Sequence, residues 1–129
     1  MKARDTRRSL LGKSIAIIED NPVIVEAYRQ VLTEKGAHVL VLSEYEAELD
    51  VQLASIDHLD FILSDYRLKQ TTGDQLIQKL RENFNDDVPA IIVTADTSPS
   101  HMHLFENLNV QVLHKPISFH EVTQQIEQI

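Results

Sequence analysis

Five side chains of chemical interest stand directly after short apolar runs of this sequence. Three are the acids Glu19, Asp20 and Asp65, and the others are Thr94 and Lys115. Carboxylates that crowd together repel one another unless they are protonated or neutralised by a cation. Their hard oxygen ligands select Mg²⁺, while a hydroxyl and an ammonium group suit an anion beside that metal. Since an aspartate can itself act as a nucleophile, the set predicts a place where a phosphoryl group, Mg²⁺ and a carboxylate meet.

The apolar runs themselves have the length and the polar flanks of buried strands. Five such strands are predicted, at 14–18, 39–42, 60–64, 88–93 and 110–113. The second run ends without a comparable group. Any single strand that ends in a polar residue is unremarkable, so the prediction depends on the recurrence of the pattern.

Helix signals lie between the strands. Asn21-Pro22 and Ser98-Pro99 combine a capping residue with a proline at the first helical position. Ser43 with Glu46, and Ser118 with Glu121, have the spacing of capping boxes. The predicted helices begin near 22, 44, 73, 99 and 119.

Strands that alternate with helices through short loops predict an α/β fold with a parallel five-stranded sheet and helices on both faces. A doubly wound order 2-1-3-4-5 is natural at this length. That order places strands one, three, four and five side by side, with their carboxyl ends at one rim. The five reactive side chains would therefore meet there.

Composition narrows the class of protein. The 129 residues suit one domain, no cysteine is present, and the net charge is −8. We expect residues 1–13, which are basic, to be a linker or lead-in segment and residues 14–129 to be the domain. From residue 14 onward there are 7 basic and 19 acidic residues, which argues against nucleic-acid binding by this domain. We also expect no membrane contact and a cytoplasmic location.

The motifs resemble those of the receiver domain of two-component response regulators, over roughly residues 14–129. The resemblance rests on Ile17-Ile18-Glu19-Asp20-Asn21, Ser64-Asp65-Tyr66-Arg67-Leu68 followed by Gly73, Val93-Thr94-Ala95 and Lys115-Pro116. It implies the flavodoxin-like (βα)5 fold. The segment 10–13 and the Asp-Tyr-Arg-Leu block are further similar to receivers of hybrid sensor histidine kinases.

The resemblance also implies roles for the rim residues. Asp65 would accept a phosphoryl group from the phosphohistidine of a histidine kinase or a histidine phosphotransfer protein. Mg²⁺ would be held by Asp20 and Asp65 directly, by Glu19 through water and by the backbone carbonyl of Arg67. Thr94 would bind the phosphoryl oxygens. Lys115 would pair with the phosphate, beside a peptide bond to Pro116 that is often cis.

Positions 67, 95 and 96 would modulate the lifetime of the acyl phosphate. We predict that Arg67 and Asp96 pair across the mouth of the site and hinder attacking water. Many receivers carry an aromatic switch residue where this chain has Val112. A valine cannot make the same rotamer change, so we expect only modest changes of the surface formed by the fourth helix and the fifth strand on phosphorylation. His101 and His103 are interpreted as surface residues rather than metal ligands.

Other classes stay open at this point. A flavodoxin-like small-ligand binder, such as a flavin protein, would need a different first loop from Glu19–Pro22 and would show flavin absorbance. A pseudo-receiver that serves as an interaction module would keep the fold without the chemistry. A receiver catalyses its own phosphorylation and dephosphorylation, and a parent hybrid protein would be a histidine kinase. We expect a monomer or weak dimer.

Overall fold

The computed structural model describes residues 8–128, in which five strands alternate with five helices. The strands are β1 (Ser14–Ile18), β2 (His38–Val41), β3 (Phe61–Asp65), β4 (Ala90–Thr94) and β5 (Gln111–His114). The helices are α1 (Pro22–Glu34), α2 (Glu46–Leu53), α3 (Gly73–Asn83), α4 (Pro99–Leu108) and α5 (Phe119–Glu127). Every predicted element is present, with ends that differ from the prediction by no more than two residues.

The strands form one parallel sheet in the order β2-β1-β3-β4-β5, which confirms the predicted doubly wound topology. The register aligns their carboxyl ends: Ile18 pairs with Ser64, Asp65 with Val93, and Thr94 with His114. The residues that follow these pairs therefore emerge at the same rim.

Alternate residues of each central strand pack on opposite faces of the sheet. Ile62 and Ile92 belong to the apolar cluster under α2, α3 and α4, whereas Leu63 and Ile91 belong to the cluster under α1 and α5. All four are at most 1% exposed. Burial on both faces explains why these strands are continuous apolar runs in the sequence instead of alternating ones.

Two of the predicted helix caps are confirmed. Asn21 accepts a hydrogen bond from the Val23 N–H at 2.9 Å, and Ser118 accepts one from the Glu121 N–H at 3.0 Å. Each bond satisfies an amide that has no partner within its helix. The two caps fix where α1 and α5 leave the rim.

The capping box predicted at Ser43 and Glu46 is wrong. Helix α2 begins at Glu46 itself, with Tyr45 at the capping position and no side-chain cap. Ser43 is held in the strand exit because its N–H donates to Gln52 Oε1, while Gln52 Nε2 donates to the carbonyl of Val41. The Ser43 hydroxyl accepts from the Tyr45 N–H at 3.0 Å and not from an amide inside α2.

The predicted lead-in extends onto the folded body. Residues 1–7 lie outside the described part of the chain, but Leu10 is 3% exposed within the α1/α5 cluster and donates its N–H to the carbonyl of Lys35. Gly36, at φ 93°, allows the backbone of Leu11 to approach where a Cβ would lie 2.9 Å from its Cα. The domain boundary at residue 14 stays a prediction.

Within residues 8–128, the helices are too short or too polar to cross a membrane.

Candidate functional site

The ends of β1 and β3 bring together the three predicted carboxylates. One oxygen each of Glu19, Asp20 and Asp65 lies within 4.8 Å of the others. Asp20 is exposed, whereas Glu19 and Asp65 are half-buried. The carboxylate cluster expected at the ends of two neighbouring strands is therefore present in the folded chain.

The electrostatics of this cluster favour a cation. Burial raises the pKa of Glu19 to about 7, and the charge of Asp65 adds to the rise. A hydrogen bond from the Asp20 N–H and the charge of Lys115 offset part of it. The carboxylates thus carry more negative charge than their surroundings stabilise, and their oxygen-only donor set fits Mg²⁺.

Lys115 approaches the cluster from the end of β5. Its Nζ lies 2.9 Å from Asp65 Oδ1, and its backbone N–H donates to the carbonyl of Thr94 at 2.9 Å. The peptide bond from Lys115 to Pro116 is cis, as expected at that position. The ammonium group is therefore held against the carboxylate of Asp65 from the side of α5.

Thr94 ends β4 beside Asp65 and is 2% exposed. Its Oγ1 accepts a hydrogen bond from the Asp96 N–H at 2.9 Å, which leaves the hydroxyl proton available to another acceptor. Ala95, between these two residues, is exposed. This hydrogen bond connects the loop after β4, which carries Ala95 and Asp96, to Thr94 in the site.

The predicted contact between Arg67 and Asp96 is confirmed. Arg67 Nη2 donates to Asp96 Oδ2 at 2.9 Å, although the arginine side chain is 69% exposed. Hydrogen bonds from the backbone and side chain of Ser98 lower the pKa of Asp96 to about 2, and Arg67 and His101 add to this effect. Asp96, which accepts the hydrogen bond from Arg67, is therefore an ionised carboxylate at neutral pH.

His101 is partly exposed, as expected, but it also makes contacts that the sequence did not predict. Its side chain is 29% exposed, its Nδ1 lies 2.6 Å from Asp96 Oδ2, and its ring contacts Tyr66 and Phe105. His103, by contrast, is exposed. The Ser98-Pro99 helix start could have indicated the contact between His101 and Asp96. A helix that begins there brings its first turn back over the loop that carries Asp96.

An apolar cavity of about 480 Å³ opens beside Asp65 and Lys115, between α1 and α5. Tyr28 and Phe119 form its outer wall, with ring centroids 5.1 Å apart in a T-shaped contact. The other lining residues are Ile18, Glu19, Ile24, Leu63, Ser64, Val93, Pro116 and Ile117. Sequence reasoning did not anticipate this space.

Residues 15–127 match the model of the response regulator receiver domain. The chain therefore belongs to the response regulator receiver family, a class of two-component signalling domain. The fold and the rim cluster agree with that assignment.

Particular relatives are distant. A receiver protein from Pseudomonas putida superposes with a TM-score of 0.77 at 20% identity, covering 91% of this chain and 97% of that one. The receiver domain of the TMAO respiratory system response regulator TorR gives a TM-score of 0.74 at 25% identity, covering 90% and 94%. A putative two-component response regulator of Arabidopsis thaliana is 21% identical over 90 residues, which are 70% of this chain and 14% of that protein.

Proposed function

We propose that this domain accepts a phosphoryl group on Asp65 from a phosphohistidine, in a His–Asp phosphorelay. The observation that carries the proposal is the position of Asp65, which shares its surroundings with two further carboxylates and with Lys115 at 2.9 Å. The donor would be a histidine kinase or a histidine phosphotransfer protein, since the receiver family works with such partners.

In the proposed step, an Asp65 carboxylate oxygen attacks the phosphorus and the bond from phosphorus to the imidazole nitrogen breaks. The imidazole keeps the electron pair, and Asp65 becomes an acyl phosphate. Asp20, Asp65 and the Arg67 carbonyl would hold Mg²⁺ directly and Glu19 through water, and the metal would supply charge neutralisation for the transferred group. Catalysis then depends chiefly on positioning and on charge.

The chain's own residues complete the environment of the product. The ammonium group of Lys115 would move from the free carboxylate to a phosphoryl oxygen, and Thr94 would donate its hydroxyl proton to another. Arg67 and Asp96, which already pair across the mouth, would hinder water from reaching phosphorus. Ala95 adds little bulk beside them.

The decisive experiment is intact mass after incubation with acetyl phosphate, with and without Mg²⁺. We expect a Mg²⁺-dependent gain of one phosphoryl group that Asp65→Asn abolishes. Asp57→Asn, at an exposed position in the loop before β3, is the matched control and should behave like the parent protein.

A gain that survives in Asp65→Asn would contradict the assignment of the acceptor. No gain in the unmodified protein, together with failure to bind beryllofluoride, would favour a pseudo-receiver that acts as an interaction module.

The wider setting is also part of the proposal. We place the domain in the cytoplasm, without contacts to membrane or nucleic acid and as a monomer or weak dimer. Its similarity to receivers of hybrid sensor histidine kinases in the segment 10–13 and the Asp-Tyr-Arg-Leu block supports an origin in such a kinase.

A further inference from the structure

The carboxylate of Asp96 is held by more than one partner. Its Oδ2 lies 2.9 Å from Arg67 Nη2 and 2.6 Å from His101 Nδ1, while its Oδ1 accepts from the Ser98 N–H at 2.9 Å. The same Nδ1 lies 2.8 Å from Ser98 Oγ, so the ring nitrogen sits between the serine hydroxyl and the carboxylate. A proton on Nδ1 makes the contact with Asp96 attractive, because an ionised carboxylate only accepts hydrogen bonds. The orientation of Asp96 is therefore fixed from the α4 side before Arg67 joins it.

The fixed orientation of Asp96 strengthens its ion pair with Arg67. An exposed arginine–carboxylate pair is weak by itself because two flexible side chains must be ordered and water competes for both. The Arg67 side chain is 69% exposed, but its partner Asp96 is 17% exposed and already oriented. Only the arginine then loses rotamer freedom when the pair forms.

His101 is in turn held by an aromatic neighbour of the acceptor. Its ring centroid lies 5.1 Å from that of Tyr66, which is 5% exposed and directly follows Asp65. Phe105 contacts Tyr66 at 5.1 Å and stacks on His101 at 6.4 Å. Arg67 Cζ lies 5.6 Å from the centroid of the same Tyr66 ring. The Tyr66 ring thus contacts both His101 and Arg67, two of the partners of Asp96.

We propose that His101 is a positioning residue that prolongs the life of the acyl phosphate, by holding Asp96 so that Arg67 stays across the mouth of the site. This inference rests on the proposed phosphorylation of Asp65. In the hydrolysis that it slows, a water oxygen attacks phosphorus and the bond from phosphorus to the Asp65 oxygen breaks. Inorganic phosphate leaves, the carboxylate is restored and the proton of water passes to solvent.

Two substitutions separate the contact between His101 Nδ1 and Asp96 from the ring contacts of His101. His101→Phe keeps an aromatic ring against Tyr66 and Phe105 but loses the nitrogen that lies against Asp96. His101→Asn loses the ring but keeps an N–H near the place of Nδ1. His103→Phe, at an exposed position of the same helix, is the control.

The measurement is the decay of the acyl phosphate, followed by intact mass after the acetyl phosphate is removed. We expect decay about three- to tenfold faster in His101→Phe, the factor that one hydrogen bond commonly carries. His101→Asn should restore the parent rate to within about twofold, and His103→Phe should not change it. Arg67→Ala should decay at least as fast as His101→Phe, and the double variant no faster than Arg67→Ala alone.

A parent rate of decay in His101→Phe overturns the inference, as does a double variant in which the two effects multiply. Asp96→Ala tests the pair on which His101 would act, because its decay should equal that of Arg67→Ala. If the proposed function itself fails, the unmodified protein gains no phosphoryl group. If the unmodified protein and His101→Phe are both phosphorylated and lose the phosphoryl group at the same rate, only the role of His101 is overturned.

Discussion

The two sides of Asp65 are built differently. Toward α1 and α5 the acceptor borders an apolar cavity of about 480 Å³, with Lys115 at its edge. Toward α4 it is followed by a buried tyrosine and a linked set of rings and hydrogen bonds that ends at Asp96. The open side, toward α1 and α5, leaves room for a partner to approach. The filled side, toward α4, restrains the Arg67–Asp96 pair beside Asp65. We infer that the first governs formation of the acyl phosphate and the second its decay.

The largest effect should come from the open side. Lys115→Ala removes the ammonium group 2.9 Å from Asp65 Oδ1, and with it the positive charge that would stabilise the transferred phosphoryl group. We expect phosphorylation by acetyl phosphate to slow on the order of a hundredfold, the usual scale for losing one preorganised electrostatic partner. The time course of intact mass measures it.

Lys79→Ala is the matched control for this prediction. Lys79 pairs with Asp50 and Glu46 on the surface of α2 and α3, at 2.9 and 3.9 Å, so its loss should leave the rate unchanged. If Lys115→Ala is phosphorylated at the normal rate but loses its phosphoryl group faster, the open side would govern decay of the acyl phosphate instead of its formation.

A smaller effect is expected where α3 passes under the acceptor. A Cβ on Gly73 would lie 2.3 Å from the carbonyl oxygen of Asp65 and 2.8 Å from Ser64 Oγ. Because the first of these is backbone of a central strand, it cannot rotate away. Gly73→Ala should lower the free energy of unfolding by about 1–3 kcal/mol, as overpacking does, and slow phosphorylation as well.

Urea denaturation followed by circular dichroism tests the stability change in Gly73→Ala. Gln78→Ala, at an exposed position of the same helix, should stay within about 0.5 kcal/mol of the parent protein. Equal stability of Gly73→Ala and the parent would show that β3 and α3 separate easily, contrary to the close approach of Gly73 to Asp65 and Ser64.

The smallest response is expected on the α4–β5 surface. Helix α4 is held at its start by His101, and at its end by Arg81, which donates to the carbonyls of Leu108 and Asn109. Val112, at the position that the resemblance gives to an aromatic switch, is partly buried against the core. We therefore expect small chemical-shift changes across residues 95–115 when beryllofluoride binds.

Arg81→Ala should enlarge those shift changes, since it releases the end of α4, whereas the exposed Arg29→Ala in α1 should not. Broad, large shifts in the parent protein would contradict the view that the filled side is rigid.

Local patterns predicted much of this molecule. The strands were recognisable because burial on both faces leaves continuous apolar runs, and the rim residues because each directly follows such a run. The caps at Asn21 and Ser118 were equally predictable, since each bond spans two or three residues. Ser43 failed as a cap because α2 begins only at Glu46, and the Ser43 hydroxyl accepts from the Tyr45 N–H, which lies before the helix.

The sequence by itself determined the order of the sheet, and hence which side chains share the rim, because alternation of strand and helix restricts the topology and aligns the strand ends. Tertiary structure decided the rest. The cavity depends on how α1 and α5 settle against the sheet, and the burial of Leu10 on where the chain meets the α1–β2 turn. The contact between His101 and Asp96 depends on the angle at which α4 starts and on the ring of Tyr66 beneath it. These features arise from packing between distant segments, which residue type and local spacing do not specify.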